Sequence, residues 1–238
     1  VLREGGEFAD LFFEQTHSLV IICEENRIEK VISGLDMGVG LRIFFGGKTF
    51  YGFTTEISKE SLFNLARRIA RSAKEGGEEN GIGPLPLPRP ALSSPLISKS
   101  LDSIPRHPDG LPMEERVSVV KRANEVARRL NPHVQQVRVL YRDVNQKLSI
   151  SNSEGMLTEG ERVGTVFSVQ VVSAKGDVLQ TGYEPIGGTM GFELFDLHPP
   201  EEVAEVATQR SLLMLSARKA PMGRMAVTVS AIGALLVR

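Results

Sequence analysis

GLDMGVGLRIFFGGKTFYGFTTE, residues 34–56, decides how this chain is read. Leu41, Ile43 and Phe45 alternate with Arg42 and Phe44, so one face of a strand is apolar and the other mixed. Gly46-Gly47 supplies the positive φ that a two-residue hairpin turn requires, and Lys48 to Thr54 returns antiparallel. Ser58 then reads as a helix N-cap, with Glu60 in the first turn. The helix extends to Lys74 and sets Leu62, Leu65, Ala66, Ile69, Ala70 and Ala73 on one face. The hairpin is the nearest apolar surface that can bury that face, so the predicted unit is a sheet with a helix packed on it.

Upstream, Phe8 to Gln15 reads as a short strand. Leu19 to Cys23 reads as a second, continuing through Ile28–Ile32 after a turn at Glu24-Glu25-Asn26. Downstream, prolines at 84, 86, 88, 90, 95, 105, 108 and 112 favour extended polyproline conformation, which makes 81–112 a semi-rigid connector. A helix follows over Met113–Leu130, with Val117, Val120, Ala123, Ala127 and Leu130 inward and Pro112 at its start. Strands are predicted at Val134–Asp143, Lys147–Ser151 and Gly164–Val172, the last turning at Lys175-Gly176-Asp177 into Val178–Tyr183. After a glycine-rich loop at Ile186–Gly191, Pro200 opens a helix carrying Val203, Val206, Ala207 and Leu213 to Ala217.

The order strand, strand, hairpin, helix thus occurs twice. The expected fold is α+β: two similar sheet-plus-helix units with mainly antiparallel strands, read as an internal duplication, at 1–80 and 113–238, joined by the Pro-rich connector 81–112. Chance agreement of a common pattern is the alternative. Met225–Val229 and the apolar run Ala231–Val237 would leave an unpaired edge at the end of the chain. Two readings account for that edge: a fragment, expected to self-associate or meet a partner there, or a final strand tucked into a sheet.

The 238 residues carry a net charge of −1, which gives no general attraction to nucleic acid or an anionic membrane. With three Tyr and no Trp, base-stacking platforms are scarce. A single cysteine, Cys23, excludes an internal disulfide and fits a reducing compartment; at the end of the run LVIIC it reads as a small core residue. No apolar run reaches the roughly 18 residues of a membrane span, and no signal peptide is visible. The expected location is the cytoplasm.

His17, His107, His133 and His198 are scattered, each placed at a strand end, in the connector or at a helix boundary, and none has a ligand partner at helical spacing. Gly46-Gly47-Lys48-Thr49 fails as a phosphate loop because Arg42 stands where the pattern needs glycine. Arg67, Arg68, Arg71 and Lys74 form a basic stripe read as a solvated helix face. The residues therefore offer no catalytic, cofactor-binding or metal-ligating set, and the chain is expected to hold no zinc of its own. An open sheet could still recruit an extended peptide by strand addition.

Three stretches resemble the TldD/PmbA family, once called modulators of DNA gyrase: Gly5–Glu14; Gly38–Arg42 with Gly47-Lys48-Thr49; and Ala220–Gly223 leading to Gly233-Ala234-Leu235-Leu236. The TldD branch is resembled more than the PmbA (TldE) branch. The resemblance implies a zinc metallopeptidase that works as a TldD–TldE heterodimer on peptides and unfolded segments, microcin precursors among them. In such proteins the last stretch leads into H-E-x-x-x-H, whose histidines bind the metal and whose glutamate is the general base. Here Gly233–Leu236 is followed by Val237-Arg238, and no residue of that motif can be assigned. The chain is expected to be an inactive N-terminal half that contributes the substrate cleft and subunit assembly. The alternatives are a free-standing peptide-binding or partner subunit and, less favoured by the charge, a regulator of DNA topology.

Limited proteolysis should cut first within 84–112, where an exposed connector concentrates nicking. First cleavage inside Gly34–Thr55 would place the boundary elsewhere.

Overall fold

A computed structural model describes residues 2, 5–77, 104–218 and 222–224. Six strands form one sheet: β1 (Phe8–Glu24), β2 (Arg27–Phe45), β3 (Lys48–Thr54), β4 (Val134–Asn152), β5 (Leu157–Lys175) and β6 (Val178–Gly188). Their order is β3-β2-β1-β4-β5-β6, and every neighbouring pair is antiparallel. The helices are α1 (Lys59–Gly77), α2 (Met113–Leu130), the short α3 (Leu194–Leu197) and α4 (Pro200–Leu215). Among the described residues no helix is long and apolar enough to cross a membrane.

The hairpin at Gly46-Gly47 forms as its sequence requires, with φ of 56° and 73°. Ser58 caps α1, accepting the Ser61 N–H on its hydroxyl at 3.1 Å. Leu65 and Ile69 of that helix pack on Leu41 and Ile43 of β2, with Ala9 and Leu11 of β1 alongside. A larger core lies farther along the same side of the sheet. It joins Leu19, Ile21 and Cys23 of β1, Val137, Val139 and Tyr141 of β4, and Phe167, Val169 and Val171 of β5 to α2 and α4. Phe195 meets the Phe167 ring edge-on at 5.1 Å between centroids.

The strands are longer than the sequence suggests. Thr16-His17-Ser18, read as a break, is the middle of β1, and Val144-Asn145-Gln146 is the middle of β4. Both triplets stay extended because their polar side chains find partners: Thr16 and Gln146 both bond Glu14, and Asn145 bonds Asp109. Ile186-Gly187-Gly188, read as loop, completes β6 by pairing with Thr165, Val166 and Phe167. Leu130, read as inward, is 45% exposed, and Leu213 of α4 is 70% exposed. The two units share one sheet, joined where β1 pairs with β4. Strand order runs outward from that seam in the same way on both sides, but common element order does not establish duplication.

Most of the Pro-rich connector, residues 81–103, lies outside the described residues, as does the apolar run from Met225 to the end. The connector's last part packs against the second unit. Arg106 accepts the Phe192 N–H on its carbonyl at 2.9 Å, and Pro108 is buried.

α4 crosses β6 at Gly182, where an added Cβ would stand 2.0 Å from the Ala207 carbonyl oxygen and 2.5 Å from the Ser211 nitrogen. Both atoms are helix backbone and cannot turn aside. Gly182→Ala should therefore destabilise the fold by roughly 1–3 kcal/mol or more. Gly46→Ala, with open space around it, should cost about 1 kcal/mol through its positive φ alone. Urea denaturation of both variants checks the order, and equal losses would contradict the close approach of α4.

Candidate functional site

Between the two cores the helix-bearing side of the sheet is polar. His17 of β1 pairs in register with Asn145 of β4, which pairs with Val163 of β5. The 3-10 turn Pro108–Gly110 covers this row. The turn forms because Pro108 has a preset φ and His107 caps it, accepting the Asp109 N–H on Nδ1 at 3.2 Å. Arg116 of α2 holds it from above by donating to the Pro108 carbonyl.

Asp109 is the hub. Its Oδ2 accepts from Asn145 Nδ2 at 2.8 Å, and its Oδ1 lies 3.4 Å from His17 Nδ1. Lys147 Nζ stands 3.8 Å from Asp109 Oδ2 and 3.6 Å from Glu161 Oε1. His107 Nε2 is 3.3 Å from the same Glu161 oxygen, but no hydrogen bond forms there. Burial alone would push the Asp109 carboxyl up; hydrogen bonds from Asn145 and His17, with His107 and Lys147 close by, outweigh it and hold the group below the usual carboxylate range.

Beside this hub lies a drier triad. Tyr141 donates its hydroxyl to Asp143 Oδ2 at 2.7 Å, and Arg116 Nε approaches the same oxygen to 3.2 Å at an angle that makes an ion pair without a hydrogen bond. Burial raises the Asp143 carboxyl, against the opposing pull of Tyr141 and Arg116. Burial, then the Asp143 charge, raises the Tyr141 hydroxyl well above the ordinary phenol range.

Among the described residues the other side of the sheet carries no helix. Phe12, Tyr51 and Phe53 are exposed there, and with Glu14, Asp36 and Gly40 they line a shallow cleft. Gly40 leaves room for the Tyr51 ring, whose hydroxyl would stand 2.7 Å from an added Cβ and would have to turn aside into solvent.

His17 is thus in mid-strand and not at a strand end. It meets the connector's His107 around Asp109, although the sequence places the two apart. The polar middle of each strand was visible in the sequence, but the turn's return across 92 positions was not. His133, before β4, and His198, at the end of α3, lie at element boundaries as read. Cys23 is buried in the core, where burial raises its thiol. Arg67, Arg68, Arg71 and Lys74 lie exposed along α1.

Two sequence models match the chain in order: PmbA/TldA metallopeptidase domain 1 over residues 9–73, and the PmbA/TldA metallopeptidase central domain over 106–215. The chain belongs to the TldD/PmbA family. A metalloprotease of Methanothermobacter thermautotrophicus is 24% identical over 223 residues, covering 94% of this chain and 46% of that protein. A metalloprotease TldD homolog of Haemophilus influenzae is 25% identical, with 94% and 46% covered. The chain therefore spans about half the length of these relatives. Among solved structures, a protein of Thermotoga maritima described as a modulator of a DNA gyrase shares the fold, with a TM-score of 0.70 at 17% identity over 93% of this chain and 47% of that one. TldE from Thermococcus kodakarensis matches with a TM-score of 0.64 at 16% identity, over 87% and 44%.

Asp143→Ala would strand a buried guanidinium and a buried hydroxyl on the family's central domain. The expected loss is about 3–5 kcal/mol, the usual result of removing one partner from a buried ion pair. Asp143→Leu combined with Arg116→Met should recover part of it. Chemical denaturation of the single and double variants measures both. A single variant as stable as the parent would show that the pair carries no such constraint.

Proposed function

We propose that this chain is the N-terminal region of a TldD-like zinc metallopeptidase that acts on peptides or unfolded segments. The observation that carries the reading is the match of two consecutive family domains, in order, over residues 9–73 and 106–215. In this reading residues 1–80 and 113–238 are the two structural regions and 81–112 is their connector. The uncovered side of the sheet, with its cleft at Phe12, Tyr51 and Phe53, contributes to the substrate path. A TldE/PmbA-like subunit or a second copy of the chain completes the assembly; the structural likeness to TldE is consistent with a partner of related fold. The location is cytoplasmic.

The chemistry of the reading follows from zinc hydrolysis, which requires typically three protein ligands, an open position for water and a base. The family's H-E-x-x-x-H does not occur among the 238 residues, so no hydrolytic step is assigned to them. Their role is to bind and position. A free-standing binding subunit is the second reading, and a direct action on DNA topology is disfavoured by the net charge of −1.

The test is peptide cleavage. The chain alone, and the chain mixed with a TldE/PmbA-like subunit, are incubated with an unstructured peptide, with and without chelator. The expected result is no cleavage by the chain alone, retention of the peptide in pull-down, and co-elution with the partner. Chelator-sensitive cleavage by the chain alone would overturn the assignment, and failure to retain any peptide would remove its substrate role.

A further inference from the structure

We infer that His107, Asp109 and Glu161 form a binding site for one first-row divalent cation, zinc or manganese, in competition with the Lys147 ammonium. This departs from the sequence expectation of no metal ligand, and it is separate from the family's catalytic motif. One donor atom from each of the three residues lies within 4.8 Å of the others. The 3.3 Å separation of His107 Nε2 and Glu161 Oε1 is already the edge of a tetrahedron with bonds of about 2.0–2.1 Å. One imidazole with carboxylates favours a transition cation over magnesium or calcium, whose shells are oxygen.

A second observation points to a ligand. Asn145 is 3% exposed, its amide is held against Asp109 Oδ2 at 2.8 Å, and its Oδ1 has no partner. A buried amide oxygen without a partner is costly, and a half-turn of the amide, exchanging the Nδ2 bond to Asp109 for an oxygen ligand, would present it to a cation bound at Asp109. The buried His107 Nε2 is likewise without a hydrogen bond. Coordination there requires the tautomer with its proton on Nδ1, which would then face Asp109 Oδ2 at 3.9 Å instead of accepting the Asp109 N–H.

Lys147 offsets the repulsion between the two carboxylates. Its ammonium stands between them, yet its side chain is 52% exposed and can swing into solvent when a divalent ion takes its place. The ligands come from the 3-10 turn and β5, so a bound ion would fasten the start of the central domain to the sheet.

Titration calorimetry on the 238-residue chain, stripped of metal by chelator, tests the site with zinc chloride and separately with manganese chloride. One equivalent should bind. Asp109→Asn and Glu161→Gln should each weaken binding at least tenfold, within the range seen when a ligand's support is lost. Lys147→Met should tighten it by about fivefold to tenfold, the effect of removing one unit charge at about 4 Å in a solvated site. Thermal midpoints without metal establish that each variant is folded, and a zinc-dependent shift of the His107 ring protons locates the ion independently. Absence of binding in both the parent and Lys147→Met would overturn the inference. So would one-equivalent binding unchanged by Asp109→Asn and Glu161→Gln, or an affinity indifferent to Lys147→Met. Cation binding without peptide cleavage leaves the proposed function standing, and peptide retention without cation binding refutes only this site.

Discussion

The pairing of β1 with β4 is the constraint on which the rest of the structure depends. It runs from Asp10 opposite Asn152 to Glu24 opposite Arg138, and it turns two regions far apart in sequence into one sheet. β1 serves both cores. Its first half sets Ala9 and Leu11 under α1, and its second half sets Leu19, Ile21 and Cys23 beneath α2 of the other region. The smaller core is built from the first region alone, whereas the larger one takes Leu19, Ile21 and Cys23 from the first region and buries them against the second. At about 25 cal/mol per Å² of apolar surface removed from water, this shared burial outweighs anything the exposed ion pairs contribute.

A strand long enough to serve two cores has a middle that serves neither. His17 stands at that point in β1, and Asn145 faces it in β4. Helices that pack on apolar rows leave this polar row uncovered, and a short turn with hydrogen-bonding side chains fills the space. The concentration of His17, His107, Asp109, Lys147 and Glu161 follows from this geometry. Asp143, one row toward the larger core, is drier, and burial raises its carboxyl against the pull of Tyr141 and Arg116.

The two sides of the sheet have different work. One side carries the packed helices of the described residues. The other leaves Phe12, Tyr51 and Phe53 in solvent, with Gly40 admitting the Tyr51 ring against the backbone.

By itself the sequence determined what local chemistry controls. The Gly46-Gly47 turn follows from φ, the start of α1 from the Ser58 cap, and the inward faces of α1 and α2 from periodicity. The resemblance that pointed to the TldD/PmbA family likewise rests on short local motifs. Tertiary structure decided what depends on distant partners. Thr16-His17-Ser18 and Val144-Asn145-Gln146 read as breaks because polar residues interrupt the apolar alternation; they continue as strand because each lies beside the other and Asn145 bonds Asp109. Leu213 satisfies the helical pattern of α4 yet points outward, since the Gly182 contact fixes which side of that helix meets the sheet. The meeting of His17 and His107 around one carboxylate could not be read from spacing, because it is made by a strand seam and a returning turn, neither of which leaves a local signature.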